Sequence, residues 1–163
     1  MDRQSCCCFT GHRYIEKSKI NAVKKRITSE IMKMADAGVT HFINGAALGF
    51  DMLCAECIID IKRNFPSLRD KIHLILYVPC TNHNERWTSM DKFRYNIITC
   101  YADDIIYVID SAYTADCMKK RNYRMVDDSS CCIAYFTGKR SGTMQTVNYA
   151  KKNNLTIVNI AEM

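Results

Sequence analysis

Apolar runs of strand length alternate along this chain with longer segments in which apolar residues recur at helical spacing. Strands are expected at 5–9, 40–43, 72–78, 105–109, 131–136 and 156–160, with helices at 18–37, 48–62, 85–101, 115–126 and 142–152. The run Ile72-His73-Leu74-Ile75-Leu76-Tyr77-Val78 is apolar at almost every position, whereas a strand with one wet face would alternate. A parallel sheet covered on both faces by right-handed crossover helices meets that demand. Breakers stand where such a scheme needs them, Gly38 behind the first long helix and Asn64 and Pro66 behind the second. The expected architecture is α/β: a single domain over 1–163, Rossmann-like and doubly wound, with a mostly parallel sheet of about six strands and helices on both faces.

Composition narrows the setting. With 163 residues, 48% hydrophobic and 25% charged, the chain is long enough for a core of its own. Its 6 Gly and 2 Pro are too few for a fibrous repeat or a disordered tail. Ten cysteines would suit a disulfide scaffold, but Cys6-Cys7-Cys8 and Cys131-Cys132 stand on strands, where neighbours point to opposite faces and cannot all pair. Reduced thiols and a cytoplasmic location are expected. Met1-Asp2-Arg3-Gln4 leads into a strand rather than an apolar leader, and no segment approaches the ~18 apolar residues of a membrane span. Cys54 and Cys57 form a C-x-x-C on a helix without a second ligand pair, so they read as small buried residues and no metal is expected. The net charge of +6 favours an anionic ligand, although cations scattered over helix faces would give the same sum.

In open parallel sheets ligands bind beyond the carboxyl ends of the strands, so the residues after each strand carry the functional signal. The first strand leaves into Thr10, Gly11, His12 and Arg13, pairing a flexible glycine with a guanidinium suited to a phosphate. The second leaves into Gly45, Ala46, Ala47, Leu48, Gly49 and, after Phe50, Asp51. Small residues opening a helix let backbone amides approach an anion, though tight strand-to-helix packing needs them too. The loop is neither G-x-G-x-x-G nor a Walker loop. The third exit carries Pro79 and, further on, Trp87; the fourth carries Tyr113, with Arg121 and Asn122 on the helix behind it. Trp87 and Tyr113 are candidates for stacking on a base. The fifth exit, Thr137-Gly138-Lys139-Arg140-Ser141-Gly142-Thr143, reads as a second anion cradle, with Gly138, Ser141, Gly142 and Thr143 as its binding residues.

The same topology removes other candidates. Asp103-Asp104 and Asp127-Asp128 come just before strands and read as caps and solubilising charges at the opposite edge, where Arg3 also lies. Met32, Met34, Met118 and Met125 read as core filler.

Cys7-Cys8-Phe9-Thr10-Gly11-His12-Arg13, the Gly45-to-Asp51 loop, Pro79-Cys80 with Trp87, Arg121-Asn122 with Met125-Val126-Asp127, and Gly142-Thr143 together resemble the YpsA family of SLOG proteins. The match runs from about Cys6 to Ala150. The resemblance implies a Rossmann-like fold shared with the LOG phosphoribohydrolases and with DprA, and a nucleotide-type ligand: ADP-ribose or another NAD-derived or cyclic signal. Two departures stand out. Gly45-Ala46 replaces the expected Gly-Gly, placing a methyl where backbone is expected to meet ligand. The LOG-type signature survives only as Ser141-Gly142-Thr143, with Thr146 at its glutamate position.

The leading expectation is therefore a module that senses or sequesters a nucleotide-derived small molecule, with no catalytic residue, no cofactor and homo-oligomerisation left open. An N-glycosidase or deoxyribosyltransferase is the alternative, and would need a crevice carboxylate such as Asp51 or Glu85. Single-stranded DNA binding is a further alternative, disfavoured because cations and aromatics form no continuous stripe.

Overall fold

The computed structural model describes residues 1–162; Met163, inside the expected 1–163 domain, lies outside the described residues. In chain order the elements are β1 (Cys6–Gly11), α1 (Ile20–Asp36), β2 (His41–Asn44), α2 (Phe50–Asn64), α3 (Pro66–Arg69), β3 (His73–Val78), α4 (Ser89–Tyr101), β4 (Asp104–Tyr107), α5 (Cys117–Asp127), β5 (Cys131–Tyr135), α6 (Gly142–Lys152) and β6 (Thr156–Asn159). The strands lie in the order β4-β3-β2-β1-β5-β6, and every pair is parallel, so the sheet is parallel throughout rather than mostly.

Period-two alternation divides the strands between two cores. Cys7, Phe9, Phe42, Leu74 and Leu76 pack under α1, α2 and α4 with Ile27, Ile58 and Ile98. Cys6, Cys8, Ile43, Ile75 and Cys132 pack under α5 and α6 with Met125, Val126 and Val147. The cysteine runs are thus shared between opposite faces, as free thiols. Cys54 and Cys57 are buried on α2, and Cys57 Sγ donates to the Lys24 carbonyl at 3.7 Å.

Several boundaries differ from expectation. Thr10 and Gly11 do not follow β1 but end it, paired with Ala134 and Tyr135 of β5. α4 begins at Ser89, not at residue 85, because Thr88 caps it by accepting from the Asp91 amide; residues 82–87 form tight turns instead. Proline at the first position of α3 starts an additional short helix.

The carboxylates at the amino edge are more than solubilising charges. Asp103 accepts from the Leu74 amide and from Lys62, tying α2 to β3. Asp128 accepts from Tyr77 Oη at 2.6 Å and Asp127 from Tyr149 Oη at 2.9 Å. Arg3 donates to the Asp127 carbonyl at the same edge.

Candidate functional site

The chain leaves β1 toward β2 on one side, and β5 lies on the other, so the strand order reverses between β1 and β5. Crevices open at such a reversal because the two crossovers diverge to opposite faces. A cavity of about 660 Å³ lies there. Its walls come from the end of β1 and the residues after it (Thr10, Gly11, His12, Arg13), the loop before α2 and that helix's first turn (Ala47, Asp51), α5 (Arg121, Asn122) and the opening of α6 (Ser141, Gly142, Thr143).

The two strand exits are clasped together. His12 donates its amide to the Tyr135 carbonyl, and the Thr137 amide donates to His12 Nε2 at 3.1 Å. Nε2 must therefore be an acceptor, with the ring proton on Nδ1. Burial, aided by the nearby Lys139 ammonium, holds the His12 pKa below the ordinary histidine value and keeps that neutral form.

Arg121 is the unusual side chain. It is only 4% exposed, yet it forms no salt bridge among the described residues, and its Nη1 has no hydrogen-bond partner. Nε donates to Asn122 Oδ1 at 2.7 Å, and Nη2 reaches only the Met118 thioether at 3.9 Å. Asp51, also buried, faces it across Gly45: a methyl on Gly45 would meet Asp51 Oδ2 at 2.6 Å and Arg121 Nη1 at 2.7 Å. Burial pushes the Asp51 carboxyl up to about 6, against the pull of the Arg121 guanidinium and the Ala47 amide. Burial likewise lowers the Arg121 pKa. A cation buried without a salt bridge and with one nitrogen unpartnered is costly, and an anion entering the cavity would relieve that cost.

The two glycine-containing loops differ sharply. In the loop before α2, a methyl on Gly49 would lie 2.1 Å from the Arg13 carbonyl oxygen, and the Phe50 amide donates to the His12 carbonyl. The Ala46 amide is taken by Asn44 Oδ1. These small residues let chain segments close on one another, and Gly45, Ala46, Leu48 and Gly49 do not line the cavity. The Ala46 methyl is buried in the core beneath a backbone of φ +55°, not set where ligand would meet backbone. Ahead of α6, by contrast, Gly138 and Gly142 have nothing within 4 Å of an added methyl. Ser141 caps α6 by accepting from the Met144 amide, which leaves the amides of Gly142 and Thr143 among the first-turn donors without intrahelical acceptors. Gly138 itself is not a wall residue.

A second cavity of about 470 Å³ adjoins the first, sharing Arg13 and Met118, and holds Trp87 and Tyr113. Pro79 is buried and lines neither cavity. Glu85 belongs to the second cavity, away from Asp51. Met118 is not core filler: half-buried, it lines both cavities one turn before Arg121, on the same helix face. His83, Lys19 and Tyr135 are wall residues that the strand-exit reading did not single out. Among the described residues, no group of three His, Cys, Asp or Glu is placed to hold a metal ion, and no helix is long and apolar enough to cross a membrane.

Comparison with known proteins gives the family and agrees with the fold. The family model YpsA, described as the YspA SLOG family, matches residues 7–162. The chain is 30% identical over 126 residues to the SPbeta prophage-derived protein YoqJ of Bacillus subtilis (strain 168), covering 71% of each. It is 21% identical over 141 residues to a UPF0398 protein of Bacillus anthracis (strain A0248), covering 86% of this chain and 74% of that one. Two solved structures share the fold. DNA processing protein A of Helicobacter pylori, described for its single-stranded DNA binding mode, superposes with a TM-score of 0.65 at 18% identity over 96% of this chain and 65% of that one. DprA of Streptococcus pneumoniae superposes with a TM-score of 0.64 at 15% identity over 94% of this chain and 49% of that one. The chain thus spans less than two thirds of either solved chain.

Proposed function

The chain belongs to the YpsA SLOG family, and from that premise we propose that it binds a phosphate-bearing, nucleotide-derived small molecule in the cavity between β1 and β5, as a sensor or sequestering module. The observation that carries this reading is Arg121, a guanidinium buried to 4% exposure with Nη1 unpartnered on the wall of the cavity. Arg13 and Lys139 are exposed beside it and line the same cavity. The first-turn amides of α6 add donors and a favourable dipole end. Native mass spectrometry of the purified protein tests the reading. The expected result is a retained or readily added phosphate-bearing species, drawn from ADP-ribose and the nucleoside monophosphates, whose binding is lost in Arg121→Gln. Absence of binding by all of them in the unmodified protein would overturn it.

An enzymatic reading draws on Asp51, since a cavity carboxyl with a pKa of about 6 suits proton transfer near neutral pH. Against it stands Thr146, which is buried, turned back on its own helix by donating to the Gly142 carbonyl, and absent from the cavity wall. Release of free base from nucleoside monophosphates at several turnovers per second would favour the enzyme. Single-stranded DNA is suggested by the binding described for the Helicobacter pylori neighbour. A gel shift with single-stranded oligonucleotides at low salt separates that reading, because backbone contacts are strongest there.

A further inference from the structure

Apart from the shared Arg13, the second cavity has no part in the phosphate reading, and its chemistry differs. Its walls include two aromatic rings, Trp87 and Tyr113, with the Met118 thioether and the His83 imidazole. Trp87 is held in place rather than free: its ring meets His83 edge to face at 5.2 Å and Tyr95 at 5.6 Å, and it packs against the core below α4. Tyr113 is the reverse case, an aromatic side chain 59% exposed on a pinned backbone. Its amide donates to Asn82 Oδ1 at 2.8 Å, and the Thr81 amide donates to the Ser111 carbonyl at 2.9 Å, so the exits of β3 and β4 are stitched together beneath it. Burial drives the His83 pKa down to about 4, which leaves a neutral imidazole in this wall at neutral pH, and its buried Nε2 has no partner. A held indole and an exposed phenol ring beside a thioether and an uncharged imidazole suit a planar heteroaromatic ring. Arg13, shared by both cavities, stands where a link between ring and phosphate would pass.

We infer that the second cavity is a base subsite, so that one nucleotide lies across Arg13 with its phosphate at the opening of α6 and its base against Trp87 and Tyr113. This rests on the phosphate reading and adds the orientation of the ligand. The nucleobase class rests on Trp87 and Tyr113, with Asn82, Glu85 and Arg86 of the same walls as polar partners for the edge of a base.

Titration of the protein with ribose 5-phosphate, the four common nucleoside 5′-monophosphates and ADP-ribose tests the inference, by calorimetry and by fluorescence of Trp87, the only tryptophan. Ribose 5-phosphate is expected to bind without changing the fluorescence. At least one base-bearing probe should quench it and bind about tenfold more tightly or better, the range that base stacking on an aromatic ring supplies. Tyr113→Ala, at an exposed position that folding does not depend on, should remove most of that advantage and leave ribose 5-phosphate unaffected. Two results would overturn the base subsite and spare the phosphate site: base-bearing probes that bind no more tightly than ribose 5-phosphate with flat Trp87 fluorescence, or a Tyr113→Ala that weakens both classes equally. Failure of every probe to bind would overturn both.

Discussion

The loop entering α2 and the loop entering α6 each bring two glycines to the opening of a helix, yet the fold uses them in opposite ways. At the first, Gly49 adopts φ +78° under the Arg13 carbonyl, and Gly45 leaves room for Asp51 and Arg121 to approach. At the second, Gly138 and Gly142 face open space. Glycine is needed in the first loop because protein fills the volume where a Cβ would stand. The second loop keeps its volume empty, as a binding site requires. The first loop closes its glycines against protein and brings Ala47 and Asp51 to the cavity wall, while the second leaves open space beside Gly138 and Gly142.

Alanine substitutions bring out the contrast most strongly. Gly49→Ala forces a Cβ against backbone at a positive φ and should cost about 4 kcal/mol or more in urea unfolding. Gly142→Ala, with nothing within 4 Å, should stay within about 1 kcal/mol of the parent. Equal losses at the two positions would break the distinction.

A smaller effect belongs to Asp51, the buried carboxyl of the cavity wall at the closed loop. Its pKa rises on folding from 3.8 to about 6. Between those values the folded state holds a proton that the unfolded state has released, so the Asp51 contribution to stability falls as pH rises through the window and stays lower above it. The loss should be on the order of 3 kcal/mol. Asp51→Asn should flatten this slope and be the more stable protein at pH 7. The lowered His83 pKa acts with the opposite sign over the same window, so melting temperatures of parent and Asp51→Asn are compared from pH 4 to 7: the parent should lose ground to the variant as pH rises, and a constant gap would contradict the sign.

On the open side, Arg13→Ala should weaken binding of phosphate-bearing ligands by about 1.5 to 3 kcal/mol, the worth of a charge-assisted contact. Its stability should hardly change, since Arg13 is exposed. Calorimetry with the parent as reference reads this, and unchanged affinity would remove Arg13 from the site. The smallest effect is expected for Ala46→Gly. Relief of a left-handed alanine is worth roughly 1–2 kcal/mol, and is largely offset by loss of a buried methyl, about 0.8 kcal/mol, and by added chain entropy. Ligand affinity should not move, because residue 46 lines neither cavity.

Much of the scaffold was legible because each strand is a short, nearly continuous apolar run. β3 reads directly from the apolar run 72–78 that contains it, and the strand exits follow from the parallel arrangement. What the sequence concealed depends on contacts between distant segments. Nothing local to Gly49 announces the Arg13 carbonyl, and nothing local to Gly11 announces the Phe50 ring 2.3 Å from its absent Cβ. Met118 looked like core because an isolated methionine carries no signal of exposure, although its spacing from Arg121 placed both on one helix face. The start of α4 was available locally: Thr88-Ser89-Met90-Asp91 is a capping pattern, obscured by the helix-forming residues from Glu85 onward.

The central claim is that an anionic ligand meets the open loop at α6 and the buried guanidinium behind it. The most direct measurement is a calorimetric titration of Gly142→Asp beside the parent, using ADP-ribose and the nucleoside monophosphates. The substitution finds free space in the folded protein and sets a carboxylate at the first turn, where a phosphate would lie. Binding by the parent, and its loss in Gly142→Asp at an unchanged melting temperature, is the predicted result. Equal affinity in the two proteins would contradict it.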